Sequence, residues 1–217
     1  MIISRQDIDK MEQRFRANLI NSLSGFKSAN IIGTANAKGD TNLCIVSSVF
    51  HVGANPPLMG MLMRPHTVVR DTLKNIKDNG EYTINHVPIT HFKNAHQTSA
   101  RYPSETSEFD ACGFSVEKSE ILSAPYVAES TIKIGLKLQQ VSLIELNNTE
   151  LVIGEVVEIS LAEQLITNDG YVDIEKAKSA CVSGLDSYHR TTRMDRLGYA
   201  APERPVYSTL SSLDSLN

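Results

Sequence analysis

"TIKIGLKLQQVSLIELNNTELVIGEVVEISL", Thr131 to Leu161, decides the fold class. Two long β-rich runs flank the polar turn Asn147-Asn148-Thr149-Glu150, which predicts a hairpin of two long antiparallel strands. Upstream, EYTINHV (81–87) reads as a strand, and PPLMGMLM (56–63) as another. Further back, ANIIGTANAKGDTNLCIVSSVFHV (29–52) reads as a hairpin around the polar turn AKGD. Six or so strands thus lie in two clusters, with few strand–helix–strand alternations between them. The expectation is a mainly β (α+β) chain, an antiparallel barrel with helices packed outside it.

The helices are read from period and punctuation. Ile8, Met11, Phe15 and Leu19 fall at helical spacing, so residues 1–25 predict one amphipathic helix that stops near Gly25. Thr67 is placed to cap a helix with the apolar face Val69, Leu73 and Ile76, ended by Asn79-Gly80. The polar stretch from Pro88 to Cys112 reads as a short helix plus an excursion loop. IEKAKSACVSGL, from Ile174, reads as a short helix, and YHRTTRMDRLGY as a polar C-terminal segment. The division expected is an N-terminal helix (1–25), a barrel domain (26–165) and a helical or loop extension (166–217).

Composition excludes several functions. The 217 residues are 41% hydrophobic and 21% charged, with a net charge of −4, so no basic surface advertises nucleic acid or anionic lipid. Three cysteines, widely spaced and in no CxxC pair, suit a reduced cytoplasmic protein. No apolar run approaches the ~20 residues of a bilayer span. His86, His91 and His96 recur every five residues without a cysteine or carboxylate at ligand spacing, so no metal is expected. No GxGxxG, GxxxxGK[ST] or GxSxG pattern occurs.

Two stretches carry chemistry. In "NPPLMGMLMRPHTVVRDT" (55–72), Leu58, Gly60 and Leu62 alternate with Met59, Met61 and Met63, as in a strand apolar on both faces. Pro65 stops that strand and a helix starts within two residues, flanked by Arg64 and Arg70. Unpaired N–H groups and two guanidiniums suit a phosphate, with the Thr67 or Thr72 hydroxyl as a further donor. The alternative is a pair of surface arginines bound to Asp71 or nearby glutamates. In "NLCIVSSVFHVGANPP" (42–57), Ser47 and Ser48 interrupt an apolar strand before Val49-Phe50. Their hydroxyls need partners, either neighbouring backbone groups or a flat heteroaromatic ligand.

The blocks "NLCIVSSVFHVGANPPL", "RPHTVVRDTLKNI", "EYTINHV", "TSARYPSETSEFDACGF" and "LVIGEVVEI", in that order, resemble the flavin reductase-like family of FMN-binding split barrels. The likeness covers roughly residues 30 to 160. It implies a six-stranded antiparallel split barrel of Greek-key type, a homodimer, and FMN near the dimer interface. Carried over by position, Ser47, Ser48, Val49 and Phe50 would line the isoalloxazine. Arg64, Arg70 and Thr72 would meet the ribityl phosphate, and Asn85 and His86 would end a strand approaching the same cavity. The "SARYPSETSEF" stretch is either a lid, with Phe109 or Tyr102 covering the ring, or an ordinary surface loop. His189, Arg190 and Arg193 would reach a nicotinamide cofactor's phosphates or a partner subunit, or else lie on a solvated charged helix.

The function expected is an oxidoreductase passing a hydride from NADH or NADPH to FMN and electrons to a small-molecule acceptor, with no catalytic side chain of its own. An FMN-binding electron carrier without a nicotinamide site is the alternative.

Overall fold

The computed structural model describes residues 1–65 and 71–210. Two helices open the chain where one was expected: α1 (Arg5–Lys10) and α2 (Gln13–Ser22). A capping box starts α1, with the Asp7 N–H donating to the Ser4 hydroxyl and the Ser4 N–H to the Asp7 carboxylate. Met11 is extended at φ −66° and ψ 143°, which ends α1, and the Glu12 carboxylate then accepts from the Phe15 N–H to start α2. Local capping divides a stripe that periodicity alone reads as continuous.

The chain continues through β1 (Lys27–Ser28), β2 (Asn30–Ala35), β3 (Thr41–Val46), β4 (Phe50–Ala54) and β5 (Pro57–Met63). Then come α3 (Asp71–Asn79), β6 (Glu81–His86), α4 (Phe92–Gln97), α5 (Glu108–Cys112), β7 (Val116–Glu117) and β8 (Tyr126–Val127). The expected long hairpin is β9 (Ile132–Ile144) and β10 (Thr149–Leu161), and β11 (Cys181–Ser183) and β12 (Ser187–His189) follow.

One antiparallel sheet of seven strands, in the order β3-β2-β6-β9-β10-β5-β4, forms the barrel wall. Its two margins, β3 and β4, are consecutive in the chain and separated by Ser47–Val49 alone. The six strands expected become seven because one of them is broken there into β3 and β4. Thirteen-residue strands would otherwise run straight; β9 and β10 bend through irregularities at Ile153/Gly154 and Val156/Glu158.

Ile32, Met61, Tyr82, Ile84, Leu136 and Val152 fill the barrel interior, joined by Leu73 and Ile76 of α3. A second core lies outside the wall, where Ile31 and Leu43 meet Val87, Ala95, Phe109, Phe114 and Val127. β2 is buried on both faces along its whole length, all six of its residues being buried. β5 is not: Met61 and Met63 point inward, but Leu62 on the other face is 37% exposed.

The C-terminal third departs most from expectation. From Ile174 the chain makes turns rather than a helix. The Ala177 N–H reaches the Asp173 carbonyl, but Lys178 adopts φ 55°, and the chain is then drawn into β11, which pairs with β1. A backbone partner some 150 residues away in sequence overrides local helix propensity. No helix among the described residues is long and apolar enough to cross a membrane.

Candidate functional site

The site is built at the break between β3 and β4. As the outer margin of the sheet, β3 presents every second N–H away from β2. Side chains from the helical excursion take up those donors: the Leu43 N–H donates to the Glu108 carboxylate (3.1 Å), and the Ile45 N–H to the Thr98 hydroxyl (2.9 Å). Burial raises the Glu108 pKa even though that backbone bond pulls the other way. The alternation makes the Ser47 N–H the next outward donor, and there the capping ends. Neither that N–H nor the Ser47 hydroxyl has a hydrogen-bond partner among the described residues.

Ser48 behaves differently. Its hydroxyl donates to the Leu62 carbonyl (2.8 Å) and accepts from the Leu62 N–H (3.2 Å), pinning the break to β5. Val49 turns inward against the barrel core. Phe50 turns outward, 42% exposed, and lays its ring over Gly60, where a Cβ would come within 2.5 Å of the ring. A glycine is needed at that position for the ring to lie flat on the wall.

Arg64, just past the end of β5, is exposed, and its guanidinium donates to the Asn21 side-chain oxygen of α2. No carboxylate pairs with it among the described residues. Arg70 and Thr67 lie outside the described residues, so the geometry of the expected arginine pair rests on Arg64.

Three of the expected site residues face the interior of the protein instead. Thr72 is 3% exposed, and its hydroxyl accepts from the Asn42 amide at 2.8 Å. With Thr34 and Asn75 it forms a buried network that holds α3 against β2 and β3. Asn85 is fully buried: its amide donates to the Ile31 carbonyl (3.1 Å) and the Thr83 hydroxyl (2.9 Å), and its oxygen accepts from the Val127 N–H (3.0 Å). His86 meets the Ser179 hydroxyl at 3.0 Å, and burial pushes its pKa down to about 4. Thr72 and Asn85 thus spend their polar groups holding elements together, and the half-buried His86 is tied through Nδ1 to Ser179.

A protein-family comparison matches residues 23–177 to the flavin reductase like domain. This chain belongs to the flavin reductase-like family. Among solved structures, a proposed flavin reductase with a split-barrel domain from Shewanella frigidimarina NCIMB 400 is 48% identical, covers 92% of this chain and 100% of its own, and has a TM-score of 0.89. Nitrilotriacetate monooxygenase component B from Bacillus cereus shares the fold at 21% identity and TM-score 0.79, covering 91% of this chain and 98% of its own. The 2-nitrobenzoate 2-nitroreductase NbaA of Pseudomonas fluorescens does so at 23% and 0.76, covering 93% and 96%. The fold is the split barrel of that family.

Membership in the flavin reductase-like family implies a bound flavin, and the strand break fits one. Ser47 supplies an unused backbone donor and a hydroxyl, Phe50 an exposed aromatic face, and Arg64 a guanidinium unpaired with any described carboxylate. Of the nine residues expected to hold the cofactor, those at 47, 48, 49, 50 and 64 lie at or next to the break, 72, 85 and 86 do not, and Arg70 lies outside the described residues.

The expected lid is overturned in part. Phe109 is 1% exposed, inserted into the outer core by α5, and cannot swing over a ring. Tyr102 packs on the same core, its hydroxyl accepting from the Gln97 amide at 3.0 Å. The segment from Tyr188 is no charged helix either. Arg193 pairs with Asp173 and Arg196 with Asp169, each at 2.7 Å, and both guanidiniums lie over the Tyr171 ring, at 5.5 and 4.1 Å. Residues the sequence did not flag complete the picture: Asn21, Thr98, Glu108 and Tyr171. Each acts on a partner distant in sequence, so no local pattern announces it.

Proposed function

We propose that the protein is an FMN-binding oxidoreductase that transfers a hydride from NADH or NADPH to FMN and passes electrons on to a small-molecule acceptor. The observation that carries this reading is the end of edge capping at Ser47: donors at 43 and 45 are taken up by Glu108 and Thr98, and the next is left for a ligand. FMN, when bound, supplies the hydride chemistry, and the protein binds and orients it. Ser47 would hydrogen-bond the polar edge of the ring, Phe50 would pack beside it, and Arg64 would face the phosphate. Ser48 fixes the break in place through its two bonds to Leu62.

A homodimer accounts for the apolar surface around this site. Phe50, Val52 and Leu62 expose 42%, 42% and 37% of their surface, and Phe15, Leu23 and Phe26 expose 61%, 71% and 70%. The Arg64–Asn21 bond brings the N-terminal helices to the same region. A second copy covering these faces would also wall the flavin on its open side. The free thiols of Cys112 and Cys181 are in keeping with a cytoplasmic location.

Purified protein should be yellow, or take up FMN with a visible absorption change, and should consume NADH or NADPH with an added acceptor. Stopped-flow bleaching by NADPH supports the enzyme; bleaching only by a reduced protein partner would replace it with the electron-carrier reading. A colourless protein that takes up no FMN would remove both.

A further inference from the structure

A second feature lies at the same end of the barrel as Ser47. Val46 pairs with Asn30, Asn30 with His86, and Ala180 is tied in beside them by bonds to Ala29 and Val87. There a hollow of about 190 Å³ is lined by Ile89, Phe92, Ala180, Tyr188, His189 and Arg190. We propose that this hollow is a subsite for a flat aromatic ring that carries a negative charge. The proposal rests on the oxidoreductase reading for its biological meaning but not for its test.

The walls and the rim point to that chemistry separately. Phe92 and Tyr188 form an aromatic corner, their centroids 5.4 Å apart and tilted by 45°. Tyr188 is fixed there by the His96 ring, whose Nδ1 lies 3.0 Å from its hydroxyl. Burial, together with the Asp186 charge, pushes the Tyr188 pKa up to about 12, so the ring stays neutral. Ile89 and Ala180 add an apolar floor. Arg190 lines the hollow, is exposed, and pairs with no carboxylate among the described residues. The Lys93 ammonium stands 6.0 Å from the Phe92 ring centre. His189 is already engaged, with its Nε2 at 2.8 Å from the Ser183 hydroxyl and its ring edge-on to Phe26. An aromatic corner beside a free guanidinium recognises a planar anion by stacking and charge together.

Size narrows the ligand. Pockets that enclose a whole drug-sized molecule run to roughly 300–1,000 Å³, so this hollow takes one ring system and not an entire dinucleotide. Two sources share that chemistry: the adenylate half of the electron donor, whose other half would reach toward Ser47, and an aromatic carboxylate serving as acceptor.

The test is ligand-observed NMR on the full chain as purified, with 5′-AMP and benzoate as separate probes. One of them should bind at millimolar concentration, and Arg190→Ala should weaken it about tenfold, the loss of a charge-assisted contact. Phe92→Ala should weaken it as well; because that ring also packs on the core, circular dichroism must first show the variant folded. AMP binding alone assigns the hollow to the donor, and benzoate binding alone to the acceptor. No binding of either probe, or binding that Arg190→Ala leaves unchanged, overturns the subsite. Since the readout is binding, a protein that oxidises NAD(P)H yet binds neither probe loses the subsite and keeps its proposed function. One that binds a probe and oxidises no NAD(P)H keeps the subsite and loses that function.

Discussion

Asn85 and Ser47 are both polar residues in the wall of one barrel, and their surroundings are opposite. Asn85 uses three of its hydrogen-bonding positions on Ile31, Thr83 and Val127, with no surface exposed. Ser47 sits where a row of capped donors stops. A polar side chain whose capacity is spent inside the chain is a fastener. One with capacity left over, at a break in regular structure, is where a ligand can be held. By this measure Thr72 and Asn85 belong with the fasteners, and Ser47 and Arg64 with the proposed site.

The largest effect that would sharpen this contrast is on stability at Asn85. Asn85→Leu leaves the buried Val127 N–H and Ile31 carbonyl short of a partner, so urea unfolding should show a loss of about 4 kcal/mol. FMN affinity of the remaining folded protein should be unchanged; a large affinity loss with normal stability would put Asn85 in the site and break the comparison.

His86 gives a pH test. Its pKa of about 4 in the folded chain lies below the ordinary value near 6.5, so the unfolded chain binds the proton more readily. The stability contributed by keeping His86 neutral is present above pH 6.5 and is lost as pH falls from there toward 4, by up to about 3 kcal/mol. His86→Gln should flatten that slope in pH-dependent unfolding. An unchanged slope would mean that another group carries it.

Smaller effects belong to the open region. Arg64→Ala should weaken FMN binding by about 1.5 kcal/mol, roughly tenfold, with unfolding little changed. Equal affinity in a fluorescence titration would take Arg64 out of the site. Gly60→Ala should displace the Phe50 ring, shift the flavin absorption band, and cost only about 0.5 kcal/mol, because an exposed ring can move aside. A loss of several kcal/mol would show that Phe50 is a fastener too.

Much of the barrel was legible because its strands announce themselves locally. The β9–β10 hairpin shows two β-rich runs and a polar turn in which Asn148 takes φ 57°, a backbone region asparagine tolerates. What escaped was non-local. The helix expected from Ile174 failed because β1 recruits that backbone as a strand. The stripe Ile8, Met11, Phe15 and Leu19 hid a helix boundary set by the Glu12 cap. Site residues divided the same way: the Ser-Ser interruption was visible as a chemical oddity, whereas the direction in which Asn85 and Thr72 point depends on which strands and helices surround them.

The three-residue gap between β3 and β4 also limits how this family member can be altered. Side chains in a strand alternate with a period of two, so adding or deleting one residue between Val46 and Phe50 would turn β4 inside out relative to β5. Variation there must proceed by exchanging residues at constant spacing, which leaves the ligand's chemistry adjustable while the count stays frozen.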